Sequence, residues 1–270
     1  MQSAEDLFSQ QRLFDAHQHM QAELSSEGRI QHATPSEVFA KIRKEYRRVY
    51  PCYDALQSPK AWPSSDDIQR GQCDKSKDLW RVRSEIEIPA KELVGVLMQP
   101  ALWVPLVLPG ALVSVEQNDA FSCNVTAVVP NAMMRALDVK YFFTQTLYCV
   151  DKSVLVFVDD EDTSKTPGFG QHMFVVREDS ADEAVLDYIV RERNSSFVLA
   201  SYLPRLQDFV SYMHLGRTLA KIRETATQFY MCDATIKHFK SAFQKKTTVL
   251  RWLDAVFAPD SGCSFCTYCK

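Results

Sequence analysis

The alternation of apolar and polar positions divides the chain into two helical stretches, a series of strands and a helical end. Trp80, Val82, Ile86 and Ile88 alternate with Arg81, Arg83, Glu85 and Glu87. That is the period of a strand with one buried and one wet face, over 79–88. Pro89 to Met98 brings Leu93, Val94 and Leu97 together at helical spacing, and Gln99-Pro100 through Trp103 and Pro105 reads as a turn. Strand-like runs follow at 111–118, 121–129, 139–150, 153–159, 172–178, 184–191 and 195–202, although the approach to 184–191 also fits the start of a helix. Asn118-Asp119 and Asp151-Lys152 suit tight turns, and 160–171 has the chemistry of a long exposed connection. No strand is followed by a helix of ordinary length until the end, so the sheet is an antiparallel meander and not a parallel one. Residues 205–230 then predict one long helix, with Leu206, Phe209, Val210, Met213, Leu219, Ile222 and Phe229 on its apolar face and Gly216 marking a bend or a close contact.

At the N-terminus, 4–24 predicts a helix with Leu7, Leu13, Phe14, Met20 and Leu24 on one side. A second helix starts at Thr34-Pro35 and stops at Pro51. Its basic face, Lys41, Arg43, Lys44, Arg47 and Arg48, is either a solvated surface or a contact for an acidic membrane or partner. The Pro-, Ser- and Asp-containing stretch 57–78 reads as a loop. The expected organisation is N-terminal helices over 1–56, a linker over 57–78, a main α+β domain over 79–230, and an amphipathic helix with a cysteine-rich tail over 231–270. In that main domain an antiparallel sheet curves around the helix 205–230.

Composition narrows the functions. The 270 residues carry a formal charge of −3, with no basic excess of the kind that holds a nucleic-acid backbone, so no nucleic-acid partner is expected. No window has the ~20 apolar residues of a membrane span. The first residues lack the basic and apolar regions of a secretion signal, so a cytoplasmic protein with reduced thiols is expected. Cys123 and Cys149 fall in strand-like runs and read as small buried hydrophobes.

Catalytic signatures do not emerge. No Gly-x-Gly-x-x-Gly, phosphate-loop or Gly-x-Ser-x-Gly sequence occurs, and neither an enzyme nor a cofactor is expected. His17 and His19 point to different sides of a helix, which argues against metal binding there. Asp159-Asp160-Glu161-Asp162 reads as a solvated turn or, less simply, a divalent-cation site. Cys263, Cys266 and Cys269 leave three readings open: a frayed tail, lipid attachment, or part of a zinc site.

The strands carry the remaining signal. Tyr141-Phe142-Phe143 and Val154 to Val158 are apolar without alternation, so both of their faces are buried. Either helices cover both faces, or one face lines an apolar cavity with a few polar groups that orient a ligand. The candidate lining is Tyr141, Phe143, Leu155, Phe157, Phe174, Val176, Phe209 and Met213, with Arg135, Asp138 and Lys140 at the entrance to the strand 139–150.

The order of elements over 79–230 resembles a START (StAR-related lipid-transfer) domain of the helix-grip superfamily. The resemblance rests on Trp80, the helix from Pro89 with Pro100 and Trp103 after it, Val128-Val-Pro130 with Asp138 to Phe143, and Ser153 to Asp159. It departs from the family in three ways. Arg135 is not adjacent to Asp138, Ser201-Tyr-Leu-Pro204 precedes the last helix, and no pair of extra strands is evident before residue 79. The resemblance implies that a lipid or other hydrophobic ligand is bound or transferred, with peripheral membrane contact open. The alternative is an interaction module with a vestigial cavity.

Overall fold

The structure, a computed structural model, describes residues 2–27, 37–57, 68–73, 76–131, 138–160, 170–191, 204–231 and 247–257. Side chains are described for all of these except 68–78, 204–214, 229–231 and 247. Three helices open the chain: α1 (Ala4–Ser9), α2 (Leu13–Glu27) and α3 (Glu37–Gln57). Strands β1 (Ile68–Cys73) and β2 (Ser76–Ile86) follow, then helices α4 (Ala90–Leu97) and α5 (Pro100–Val107). The meander is β3 (Leu112–Gln117), β4 (Ser122–Val129), β5 (Val139–Val150), β6 (Ser153–Asp159), β7 (Gln171–Ser180) and β8 (Glu183–Arg191). Helices α6 (Pro204–Met231) and α7 (Thr247–Val256) close it.

All described strands join one antiparallel sheet in the order β1-β2-β8-β7-β6-β5-β4-β3. The fold is α+β with a long helix laid on an antiparallel sheet, the helix-grip arrangement the element order predicts. The strand order explains α4 and α5. β2 pairs with the last strand, β8, while β3 begins at the far edge. The chain between them must traverse roughly 29 Å of sheet at the usual interstrand spacing. It does so as two apolar helices bent by 72°. The bend follows from Pro100, which disfavours helical backbone at the residue before it. Gln99 accordingly sits at φ −106, ψ 90, and α5 restarts with Pro100 in its first turn. The expectation of a simple turn over 99–105 is thus corrected.

Three other expectations change. Ile68–Cys73 is a strand paired with β2, so the loop reading of 57–78 does not hold for its second half, and a strand precedes residue 79 after all. The predicted helix 4–24 is two helices. Gln11 takes a left-handed φ of 64, and its carbonyl leaves the helix to accept from the Cys149 N–H at 2.8 Å. Helix α3 runs through Pro51 to Gln57. A proline inside a helix costs about 3 kcal/mol; here Val49, Cys52, Ala55 and Leu56 are all buried on either side of it, and at about 1.5–3 kcal/mol per large buried side chain that packing offsets the loss.

The sheet is a central layer with two cores. On the outer face, α1–α3 bury Leu7, Leu13, Met20, Ile42 and Val49 against Tyr148, Leu155, Phe157, Met173, Val175 and Ile189. On the inner face, α4–α6 bury Leu93, Leu97, Trp103, Leu219 and Ile222 against Phe143, Leu147, Val156, Phe174, Val176 and Tyr188. Helix α7 joins the inner core through Val249, Leu253 and Val256. The N-terminal helices therefore pack back onto the sheet and cover its outer face, while α6 and α7 both join the inner core. The run 195–202, the residues 234–246, and Cys263, Cys266 and Cys269 lie outside the described residues.

Candidate functional site

On the inner face, side chains two residues apart share a side, and the strand register sets which residues meet. Phe174 pairs with Val156 and Tyr188, and Val176 with Val154 and Leu186. Phe143 pairs with Val125. Helix α6 presents Leu215, Leu219, Ile222 and Ala226 to this layer, one stripe at helical spacing.

One level of this apolar layer is polar. Gln145, Val158, His172 and Val190 lie in register across β5, β6, β7 and β8. Gln145 and His172 are both buried. Trp103, carried in by α5, donates its indole N–H to Gln145 Oε1 at 3.2 Å. His172 Nδ1 and the Tyr188 hydroxyl are 2.7 Å apart. The rings form a contiguous group: Phe174 stacks on Tyr188 at 4.5 Å, Trp103 meets Phe174 edge-on at 5.2 Å, and His172 stacks on Tyr188 at 5.9 Å. Buried polar side chains hold their hydrogen bonds at a premium, so this level has a fixed geometry. Nearby, burial pushes the Cys149 thiol up to about 12.

The predicted lining residues divide between the two faces. Phe143, Phe174 and Val176 belong to the inner core, with Tyr141 half-buried against it. Leu155 and Phe157 belong to the outer core beneath α1–α3. The two groups cannot line one cavity, and the expectation that they do is corrected. The cause is register: Leu155 pairs with Val175 and Phe157 with Met173, so neither shares a side with Phe174 or Val176. Phe209 and Met213 lie on α6, in a part whose side chains lie outside the description.

The polar candidates do not converge on the inner face. Asp138 Oδ1 accepts from the Asn131 N–H at 2.8 Å and ties together the ends of the β4–β5 connection. Lys140 is exposed and alternates with Tyr141, so it faces the other side of the strand. Arg135 lies outside the described residues. The residues sequence reading missed are Gln145, His172 and Tyr188. Each is in phase with the apolar positions of its strand, and a polar residue on an apolar register is the signal that marks them.

Outside the inner face, α3 divides its basic residues. Arg48 turns to the sheet, donating to Asp159 Oδ2 at 3.0 Å and to both oxygens of Glu45. Glu45 also accepts from the Tyr148 hydroxyl at 2.8 Å. Asp159 and Asp160 are buried, so at least the first half of the acidic run is not a solvated turn. Among the described residues no group of three metal-ligating side chains is gathered. Likewise no single described helix is long and apolar enough to cross a membrane. A shallow groove of about 320 Å³ lies at one end of the sheet, between Lys91, Glu178, Asp254 and Phe257, away from the inner aromatic group.

No family model matches the chain, and no curated protein matches it. Some solved structures show a distant similarity to it. Human STARD10 is similar at 12% identity and a TM-score of 0.47, covering 86% of this chain and 92% of its own. Human StAR-related lipid transfer protein 5 is similar at 11% identity and a TM-score of 0.48, covering 71% of this chain and 97% of its own. The lipid transfer and protein localization domain of human StarD13 is similar at 13% identity and a TM-score of 0.44, covering 72% and 98%. At such identities the likeness extends to no residue's role.

Proposed function

We propose that the chain binds a lipid or another apolar small molecule between the inner face of the sheet and α6. The observation that supports this is the composition of that face: an apolar layer closed by a helix, with Trp103, Gln145, His172 and Tyr188 at one polar level inside it. Apolar area supplies affinity at about 25 cal/mol per Å², and a few polar groups orient the ligand. Phe143, Phe174, Val176 and Tyr141 form the apolar side of the proposed site, with Phe209 and Met213 from α6. Admission of the ligand requires α6 to move. Binding of this kind needs no covalent step, and the protein acts as a carrier or sensor, not an enzyme. The proposed setting is the cytoplasm, with peripheral membrane contact through Lys41, Arg43, Lys44 and Arg47 on α3.

A second reading is an interaction module whose inner face is a solid core. The direct ring contacts among Trp103, Phe174 and Tyr188 favour it. Native mass spectrometry of the purified chain separates the two, followed by uptake of a fluorescent fatty acid and a fluorescent phosphatidylcholine. A co-purified lipid, or saturable uptake altered by Gln145→Leu, supports the carrier. No lipid and no uptake of either ligand overturns it and leaves the interaction module.

A further inference from the structure

The outer face of the sheet holds a second polar group that the lipid-binding reading does not use. Asp187, in the middle of β8, has no exposed surface. Three arginines converge on it. Arg81 donates from Nε to Oδ1 at 2.9 Å, and Arg83 donates from Nε to Oδ1 at 2.8 Å and from Nη2 to Oδ2 at 3.1 Å. Arg177 donates to Oδ2 from the β7 side. Two strand pairings bring them together: Arg83 lies directly opposite Asp187, and Arg177 lies one diagonal step away, beside Val185. The sequence pattern places Arg81 on a wet face, but it is buried.

One carboxylate does not neutralise three guanidiniums. Its two oxygens offer about four acceptor sites, and the arginines fill them. Arg81 is 10% exposed, whereas Arg83 and Arg177 keep 47% and 34% of their side chains in solvent. Among the described side chains, the neighbouring groups do not restore balance. Glu85, two residues along β2, acts on Arg83 and is exposed, and from α3 the Tyr53 hydroxyl sits in the field of Arg177 and Asp151. Among the described residues this is a local excess of positive charge, on a chain whose net charge is −3.

We infer that Arg83 and Arg177, held in place by buried Asp187, form a binding site for a phosphate-monoester group on the outer face of the sheet. Guanidinium is the side chain whose planar fork matches phosphate oxygens in pairs. A buried carboxylate that fixes two such forks removes the ordering cost of binding. Asp187 is the positioning residue; it holds the arginines and does not touch the ligand. The phosphate comes either free in solution or on a lipid headgroup. This site lies across the sheet from the proposed lipid cavity and stands whether or not that cavity binds lipid.

The test is calorimetric titration of the full chain with inorganic phosphate against chloride at matched ionic strength. Saturable phosphate binding is expected. Arg177→Gln should weaken it about tenfold, the loss of one charge-assisted hydrogen bond. Glu85→Gln should tighten it, an effect that a purely structural ion-pair cluster would not produce. Flotation with phosphatidylcholine vesicles, with and without phosphatidic acid, identifies the source. Binding to the phosphatidic acid vesicles that Arg177→Gln abolishes assigns a lipid-borne phosphate. Phosphate binding without flotation assigns a soluble one. Heats of phosphate and chloride that coincide, with no Arg177-dependent flotation, overturn the inference, as does an Arg177→Gln variant that binds as tightly as the parent.

Discussion

The outer face of the sheet meets α1–α3 through Leu155, Phe157, Met173 and Val175, with its charged groups gathered at two points. At one, Arg48 joins Asp159 and Glu45; at the other, three arginines surround Asp187. The inner face meets α4–α6 through Phe143, Phe174 and Val176, and its polar level is made of Gln145, His172, Tyr188 and the Trp103 indole. Both faces carry a buried apolar core. They differ in the kind of polar group they admit. Charged groups on the outer face bridge elements: Arg48 of α3 reaches Asp159 of β6, and the three arginines of β2 and β7 reach Asp187 of β8. On the inner face the polar groups bond one another without a carboxylate or a guanidinium, Trp103 to Gln145 and His172 to Tyr188.

Removing charge from the outer face should have the largest effect. Asp187→Asn leaves three guanidiniums without their carboxylate and should cost about 3–5 kcal/mol of stability, as loss of one partner of a buried ion pair does. Urea denaturation measures it. A cost below 1 kcal/mol would show that solvent already screens the cluster, and the contrast between the faces would disappear.

Next comes packing. Leu155→Ala removes a fully buried side chain from the outer core and should cost about 2–5 kcal/mol, while leaving uptake of a fluorescent lipid unchanged. Altered uptake with unaltered stability would mean that the outer face, and not the inner one, contacts ligand. Gln145→Leu should affect both measurements. It takes the oxygen from the Trp103 indole and costs about 1–3 kcal/mol, and uptake should change with it.

How much of this was legible is itself a matter of faces. The strands 139–150 and 153–159 begin and end where their apolar runs and the Asp151-Lys152 turn say they should. The helix over 204–231 is also where its apolar spacing puts it, and it continues past Gly216 without a break. What failed was the assignment of side chains to faces. Val150 pairs with Ser153 across a two-residue turn, so odd positions of β5 share a side with even positions of β6. Phe143 therefore belongs with Val154, Val156 and Val158, and Leu155 and Phe157 belong opposite. That parity was readable from the turn. The parity between β6 and β7 was not, because a long connection sets no register. β1 was hidden for another reason. Ile-Gln-Arg-Gly-Gln-Cys is mostly polar, and its pairing with β2 comes from backbone hydrogen bonds that side-chain patterning does not report.

Thiol reactivity sharpens the comparison on the scale of rates. Cys123 and Cys149 lie in the inner core and Cys52 in the outer. With its thiol at about 12, Cys149 near pH 8 is roughly one ten-thousandth thiolate and should resist iodoacetamide. If α6 moves to admit a lipid, adding lipid should speed alkylation of Cys123 and Cys149 without affecting Cys52. Peptide mapping by mass spectrometry reads each site, and equal acceleration of all three would point to general unfolding instead of opening of the inner face.

The smallest expected effect concerns the covering helices of the outer face. His17 on α2 stacks on Tyr46 of α3 at 3.6 Å with 6° between the rings. Burial lowers its pKa, and Arg43 and Arg47 lower it further. The folded protein therefore binds a proton less readily than the unfolded chain, whose histidine titrates near 6.5. The stability this contributes is complete above the unfolded value and is lost as pH falls through it toward the folded one. Because His17 is partly exposed, the slope should be shallow. His17→Phe keeps an aromatic ring against Tyr46 but has nothing to protonate. Between about pH 7 and pH 5, the range where histidine changes charge, its urea midpoint should fall less than that of the parent. Parallel curves would mean that the stacked ring carries no proton-linked stability.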